Sequence, residues 1–122
     1  MEKVKILYVD DEPINLQLFE ANLKRDYQVF TAEGGVKGLE ILDSNKDILV
    51  VVSDMKMPRM NGMEFIHLAI SRFPQVRYYI LTGFDITDEI QDAIQRGVIQ
   101  KYFRKPFNIK EIGAELGRVA GT

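Results

Sequence analysis

The chain has 122 residues, 46% hydrophobic and 28% charged, which is the usual size of one domain and enough for a single packed core. Eighteen acidic against sixteen basic side chains leave a formal charge of −2, so the total argues for neither a nucleic-acid nor a membrane-surface partner. Cysteine is absent, which excludes disulfide frameworks, thiolate zinc sites and cysteine nucleophiles, and accords with a reducing cytoplasmic location.

The first apolar run, Ile6 to Val9, is too short for a signal-peptide core, and the longest, Ile48 to Val52, is far below a membrane span. Such runs alternate with amphipathic stretches, the pattern of a parallel sheet covered by helices on both faces. The first strand is expected over Lys5 to Asp10. A helix follows, with Pro13 in its first turn and a stripe of Ile14, Leu16, Leu18, Phe19 and Leu23. Strand two, Tyr27 to Ala32, leads through Gly34 and Gly35 into a helix expected to bury Val36, Leu39, Ile41 and Leu42. Strand three, Ile48 to Ser53, is apolar on all sides and stops at Asp54, as suits the middle of a doubly covered sheet. After a loop, Met55 to Asn61, a helix from Gly62 to about Phe73 turns Phe65, Ile66, Ala69, Ile70 and Phe73 inward. Strand four is Arg77 to Thr82; the next helix, about Thr87 to Arg96, gathers Ile86, Ile90, Ala93 and Ile94 on one face. Strand five, Lys101 to Arg104, and a helix carrying Ile109, Ile112, Leu116 and Val119 complete the pattern. Five strand-helix units of this size give a flavodoxin-like, doubly wound (βα)5 sandwich with a five-stranded parallel sheet, whose ligands sit beyond the carboxyl ends of the strands.

Those ends carry Asp10 and Asp11 after strand one, Asp54 after strand three, Thr82 at the end of strand four and Lys105 after strand five. Three clustered carboxylates raise one another's pKa unless a cation compensates, and Lys105 supplies only one positive charge. A divalent cation is therefore expected, and an all-oxygen donor set favours Mg²⁺, with Mn²⁺ as the alternative, over zinc. An aspartate beside such an ion can act as a nucleophile toward a phosphoryl group, leaving an acyl phosphate.

In order and spacing, VDDEP, VVVSDMKMPRMNG, ILTG and YFRKPF resemble the receiver domain of two-component response regulators over Lys3 to about Val119. The resemblance implies that Asp54 is the phosphate acceptor, Asp11 a direct metal ligand and Asp10 a ligand acting mainly through water, with the Lys56 backbone carbonyl completing the site. It makes Thr82 the switch hydroxyl, Lys105 the phosphate-binding lysine and Tyr102 the aromatic that turns inward on activation. Phosphate would come from a sensor histidine kinase, a phosphotransfer protein or a small phosphodonor. The signal would pass to a downstream effector or to an output domain that these residues do not include. Kinase specificity is expected on the first helix and the loop after strand five, near Ile14, Leu18 and Phe107. Self-association as a homodimer would use the face of helix four, strand five and helix five.

Taken singly, each residue has a plainer reading: helix capping for Asp10 and Asp11, a turn for Asp54, a β-former for Thr82, a surface lysine for Lys105. Their joint placement reverses those odds. Gly34, Gly35 and Gly38 lack the spacing of a dinucleotide loop. His67 reads as a surface or boundary residue, and the Gly113–Gly117 spacing says little outside a membrane. Lys56 and Phe84, each two positions beyond a key residue, are expected to shield the acyl phosphate and slow its hydrolysis. Gly83 stands where many receivers carry alanine, and Gly97 to Tyr102 is one residue longer than the commonest form; both features resemble receivers joined to phosphohydrolase or phosphatase outputs. Two other functions compete with a switch that turns over only its own phosphate. A haloacid-dehalogenase-type phosphatase would need an aspartate where Lys56 stands, together with a cap domain. An unphosphorylated receiver-like scaffold would not need the intact set of polar residues.

Overall fold

The computed structural model describes residues 2–83 and 86–121. The elements in chain order are β1 (Val4–Val9), α1 (Pro13–Leu23), β2 (Tyr27–Ala32), α2 (Gly35–Ser44), β3 (Val50–Asp54), α3 (Gly62–Arg72), β4 (Arg77–Thr82), α4 (Asp88–Gln95), β5 (Lys101–Arg104) and α5 (Ile109–Val119). The strands form one parallel sheet in the order β2-β1-β3-β4-β5, so the chain reverses its winding direction between β1 and β3. Ligands of such folds gather at that reversal, and Asp10 and Asp54 follow the two strands that flank it.

The period-two alternation of strand side chains divides the core into two layers. Leu7, Val9, Val51, Tyr78 and Ile80 face α2, α3 and α4, together with Phe65, Ile66 and Ile90. Ile6, Tyr8, Val50, Val52, Tyr79, Leu81 and Phe103 face α1 and α5, against Phe19, Ile112 and Leu116. All five residues of β3 are buried, as expected for a strand covered on both faces. Burying each such aliphatic side chain contributes roughly 1.5–3 kcal/mol before its entropic cost.

The expected strands and helices form, with three corrections. β3 begins at Val50, because Ile48 closes a turn through its N–H to the Asn45 carbonyl at 3.1 Å. On α1 only Leu16, Phe19 and Leu23 are buried; Ile14 is 68% and Leu18 48% exposed, since the helix rests on the sheet along a single narrow line. On α2 the buried positions are Gly35, Gly38 and Leu42, with Leu39 and Ile41 partly buried against the same core, and Val36 is 65% exposed. A Cβ on Gly38 would stand 2.9 Å from the Phe65 ring, so α2 can approach α3 this closely only because glycine occupies that face.

The carboxyl-side loops are pinned by helix caps. At α3, Asn61 accepts from the Glu64 N–H and the Glu64 carboxylate accepts from the Asn61 N–H, both at 2.9 Å, a reciprocal capping box. Thr87 caps α4, and Asn108 caps α5 by accepting from the Lys110 and Glu111 N–H groups.

Candidate functional site

Asp10 extends the β1 ladder by one bond, its N–H donating to the Ala32 carbonyl at 3.0 Å, and its side chain is fully buried. Asp54 ends β3 beside it, 3% exposed, and Asp11, next in the chain, is partly exposed. Oxygen atoms of all three carboxylates lie within 4.8 Å of one another, the only such acidic group among the described residues. The Lys105 ammonium reaches across from the end of β5 to Asp54 Oδ1 at 2.9 Å. Its backbone N–H donates to the Thr82 carbonyl at 2.9 Å, which ties the ends of β4 and β5 together.

Burial pushes the Asp54 carboxyl above its ordinary range; Lys105 opposes that rise and the neighbouring Asp10 charge adds to it. For Lys105, burial alone would lower the ammonium, but the hydrogen bond to Asp54 and the charges of Asp54, Asp10 and Glu12 together raise it. One lysine thus fails to offset the acidic cluster. The chemistry of the donor set, oxygen throughout with surplus negative charge, fits a hard divalent cation. A cleft of about 560 Å³, lined by Asp11, Glu12, Asp54, Lys56, Met57, Pro58 and Lys105, opens onto the Asp54 carboxylate.

The site rests on a close approach of backbone. Gly62 begins α3 directly against the Asp54 carbonyl, and an added Cβ would collide with that oxygen and stand 3.0 Å from Met55 Cα. Neither atom can swing aside. The backbone N–H of Lys56 donates to the Asp54 carboxylate.

Thr82 is buried at the end of β4, and Tyr102 is half-buried on β5 with the Arg104 guanidinium 5.8 Å from its ring centre. The structure therefore brings Asp10, Asp11, Asp54 and Lys105 to one point, sets Thr82 on the same edge, and leaves Tyr102 two strands away from Asp54. Phe84 lies outside the described residues. A Cβ on Gly83 would meet the Lys105 stem at 3.5 Å, an ordinary contact, so alanine would also fit there. His67 is exposed on α3.

Two site-related groups escaped the reading of the sequence. Tyr8 donates its hydroxyl to Asp10, and Asn15 donates to the same carboxylate. Tyr8 lies two positions before Asp10 on the same strand face, and Asn15 lies five positions after it in the first turn of α1.

A doubly wound sheet with an acidic, lysine-bearing cleft at its winding reversal defines a phosphoryl-handling class of α/β protein. The family described as response regulator receiver domain matches residues 6–116. The chain is similar to sporulation initiation phosphotransferase F of Bacillus subtilis, 36% identical over 92% of this chain and 90% of that one. It is also similar to chemotaxis protein CheY1 of Helicobacter pylori, 33% identical over 98% of both chains. Among solved structures, a response regulator receiver domain protein from Clostridium thermocellum superposes with a TM-score of 0.87 at 33% identity, covering 95% of this chain and 93% of that one. The signal receiver domain of an HD domain-containing protein from Pseudomonas fluorescens does so with a TM-score of 0.88 at 25% identity, covering 98% and 96%. This chain belongs to the response regulator receiver domain family, the phosphoacceptor switches of two-component signalling. Among the described residues no helix is long and apolar enough to cross a membrane.

Proposed function

We propose that Asp54 is the residue phosphorylated in this switch. The observation that carries this reading is the Asp54 carboxylate itself, held at the mouth of the cleft with Lys105 Nζ at 2.9 Å and two further carboxylates around it. An Asp54 oxygen attacks phosphorus, and the bond from phosphorus to the donor breaks. The donor, a phosphohistidine of a sensor kinase or phosphotransfer protein or a small acyl phosphate, leaves with the electron pair. Hydrolysis later removes the group: water attacks phosphorus, the Asp54 carboxylate leaves with the electron pair of the O–P bond, and inorganic phosphate and a proton are released to solvent. Lys105 and the Thr82 hydroxyl take the phosphoryl oxygens, and Tyr102 reports the change along the β4–β5 edge.

Asp10, Asp11, Asp54 and the Lys56 carbonyl would hold Mg²⁺, or Mn²⁺ in its place. When bound, the ion neutralises the carboxylates and the developing charge on the phosphoryl oxygens. Lys56 and Phe84 tune phosphate lifetime. Ile14 and Leu18, exposed on α1, and the half-buried Phe107 offer the apolar contact through which a kinase or phosphotransfer protein docks in the cytoplasm. The readout is altered binding to an effector or output domain, and turnover is limited to the chain's own phosphate. A phosphomonoesterase would need an acid where exposed Lys56 stands.

Incubation with acetyl phosphate and Mg²⁺, followed by intact mass measurement, is expected to add one phosphoryl group. The gain should vanish in Asp54→Asn and on chelation of the metal. An unchanged mass in the parent protein, or a gain that persists in Asp54→Asn, overturns the assignment.

A further inference from the structure

Tyr8 is a tyrosine on β1, an interior strand of the sheet, with no exposed surface. Period-two geometry puts it on the same face as Asp10, two residues on, and its hydroxyl donates to Asp10 Oδ2 at 2.5 Å. The Asn15 side chain donates to the same oxygen at 3.2 Å, while Oδ1 accepts the Glu12 N–H at 2.9 Å. A carboxylate has about four acceptor positions, two on each oxygen. Oδ2 is therefore filled, and Oδ1 keeps one position to offer.

The other end of Tyr8 is equally constrained. Its ring stacks on Phe19 of α1 with centroids 4.1 Å apart and planes 6° from parallel. Phe107 stands edge-on to both rings, at 6.3 Å from Tyr8 and 6.1 Å from Phe19. Phe107 follows Lys105 by two residues and lines a cleft of about 580 Å³ with Glu12, Asn15, Leu18 and Pro106. One side chain thus touches an acid of the site at its hydroxyl and, through its ring, two aromatic residues beneath the α1 surface.

We infer that Tyr8 is a positioning residue for the metal site. Its hydroxyl, with Asn15, occupies Asp10 Oδ2 so that Oδ1 faces the cation or its bound water, and its ring transmits the setting of Asp10 to Phe19 and Phe107. Donors in this outer position orient a ligating carboxylate, and their loss commonly weakens metal binding 10- to 100-fold. The inference rests on the reading of Asp10 as part of the metal site.

Tyr8→Phe removes one oxygen and keeps the stacked ring. Isothermal titration of the unphosphorylated protein with MgCl₂ is expected to show affinity weakened about tenfold in Tyr8→Phe. The ring-proton resonances of Phe19 and Phe107 should shift on Mg²⁺ addition in the parent and stay fixed in the variant. Equal affinity in parent and variant overturns the inference while leaving the function intact, and so does a lower melting temperature with unchanged affinity. A parent protein that binds no Mg²⁺ overturns both. Should Tyr8→Phe not fold, Asn15→Ala, which removes the second donor to Oδ2 from a half-buried position, is expected to weaken Mg²⁺ about threefold; no weakening counts against the inference.

Discussion

Asp54 and Glu115 are both buried carboxylates with a cation within hydrogen-bonding reach, and the fold drives them in opposite directions. Asp54, 3% exposed, meets one lysine at 2.9 Å and a second buried acid, and burial raises its carboxyl above the ordinary range. Glu115, 9% exposed on α5, receives Arg118 at both oxygens, 2.6 and 3.1 Å away, and the Tyr79 hydroxyl at 2.7 Å. The arginine bonds hold Glu115 below its ordinary range; burial opposes them and the tyrosine adds to them. A carboxylate whose acceptor positions are filled is structural material, and one left short of positive charge is reactive. The Glu115 network fastens α5 to β4, and Lys101 and Arg77 are the further cations whose charge it feels.

The sharpest break in this comparison is removal of each acid. Asp54→Asn should eliminate phosphoryl uptake without lowering the melting temperature of the metal-free protein, because the deleted charge is one the fold resists. Glu115→Ala should do the reverse: phosphoryl uptake within twofold of the parent, but a loss of about 2 kcal/mol in urea denaturation, because the buried Tyr79 hydroxyl loses its acceptor. A milder test is pH. Since the folded-state pKa of Glu115 lies below the ordinary 4.5, its contribution is complete above that value and is lost as pH falls through the folded value. The stability gap between the parent and Glu115→Gln should therefore hold steady from pH 7 to 5 and shrink below about 4.5. A gap that widens as pH falls from 7 to 5 instead would place Glu115 with Asp54, as an acid whose carboxyl the fold raises. The smallest effect is expected at the surface pair Arg72–Asp43, 2.8 Å apart with both side chains about half exposed. Asp43→Ala should change stability by no more than about 0.5 kcal/mol.

Much of this was legible in the sequence. The strands announced themselves by apolar runs, and the ordered set Asp10, Asp11, Asp54, Thr82 and Lys105 pointed to the candidate site because parallel strands deliver their carboxyl ends to one edge. The groups that the sequence concealed share a physical cause. Tyr8 reads as one more apolar residue in ILYV, and only its hydroxyl, invisible to hydropathy, reaches Asp10. Glu115 occupies an amphipathic helix where an acid ordinarily faces water, and its burial depends on Tyr79, 36 positions away. The α1 and α2 faces were read too broadly because hydropathy counts Ile14 and Val36 as core candidates and glycine as none. Yet close helix contact needs the absence of a side chain, as at Gly38.

The seat of Gly62 against the Asp54 carbonyl has a consequence for how such a chain can diverge. The Gly62 N–H donates to the Met55 carbonyl at 2.8 Å, so the segment between them is pinched shut at its base, immediately after Asp54. Within it the backbone makes its own turn, with Met60 N–H bonded to the Pro58 carbonyl at 2.7 Å and Arg59 at φ 69°. Substitutions or insertions at Met57 to Met60 would therefore be absorbed inside a closed loop, while the pinch holds the Asp54 carboxylate in register with the sheet. Selection can rewrite the rim that a partner or a water molecule meets without disturbing the buried carboxylate at its base.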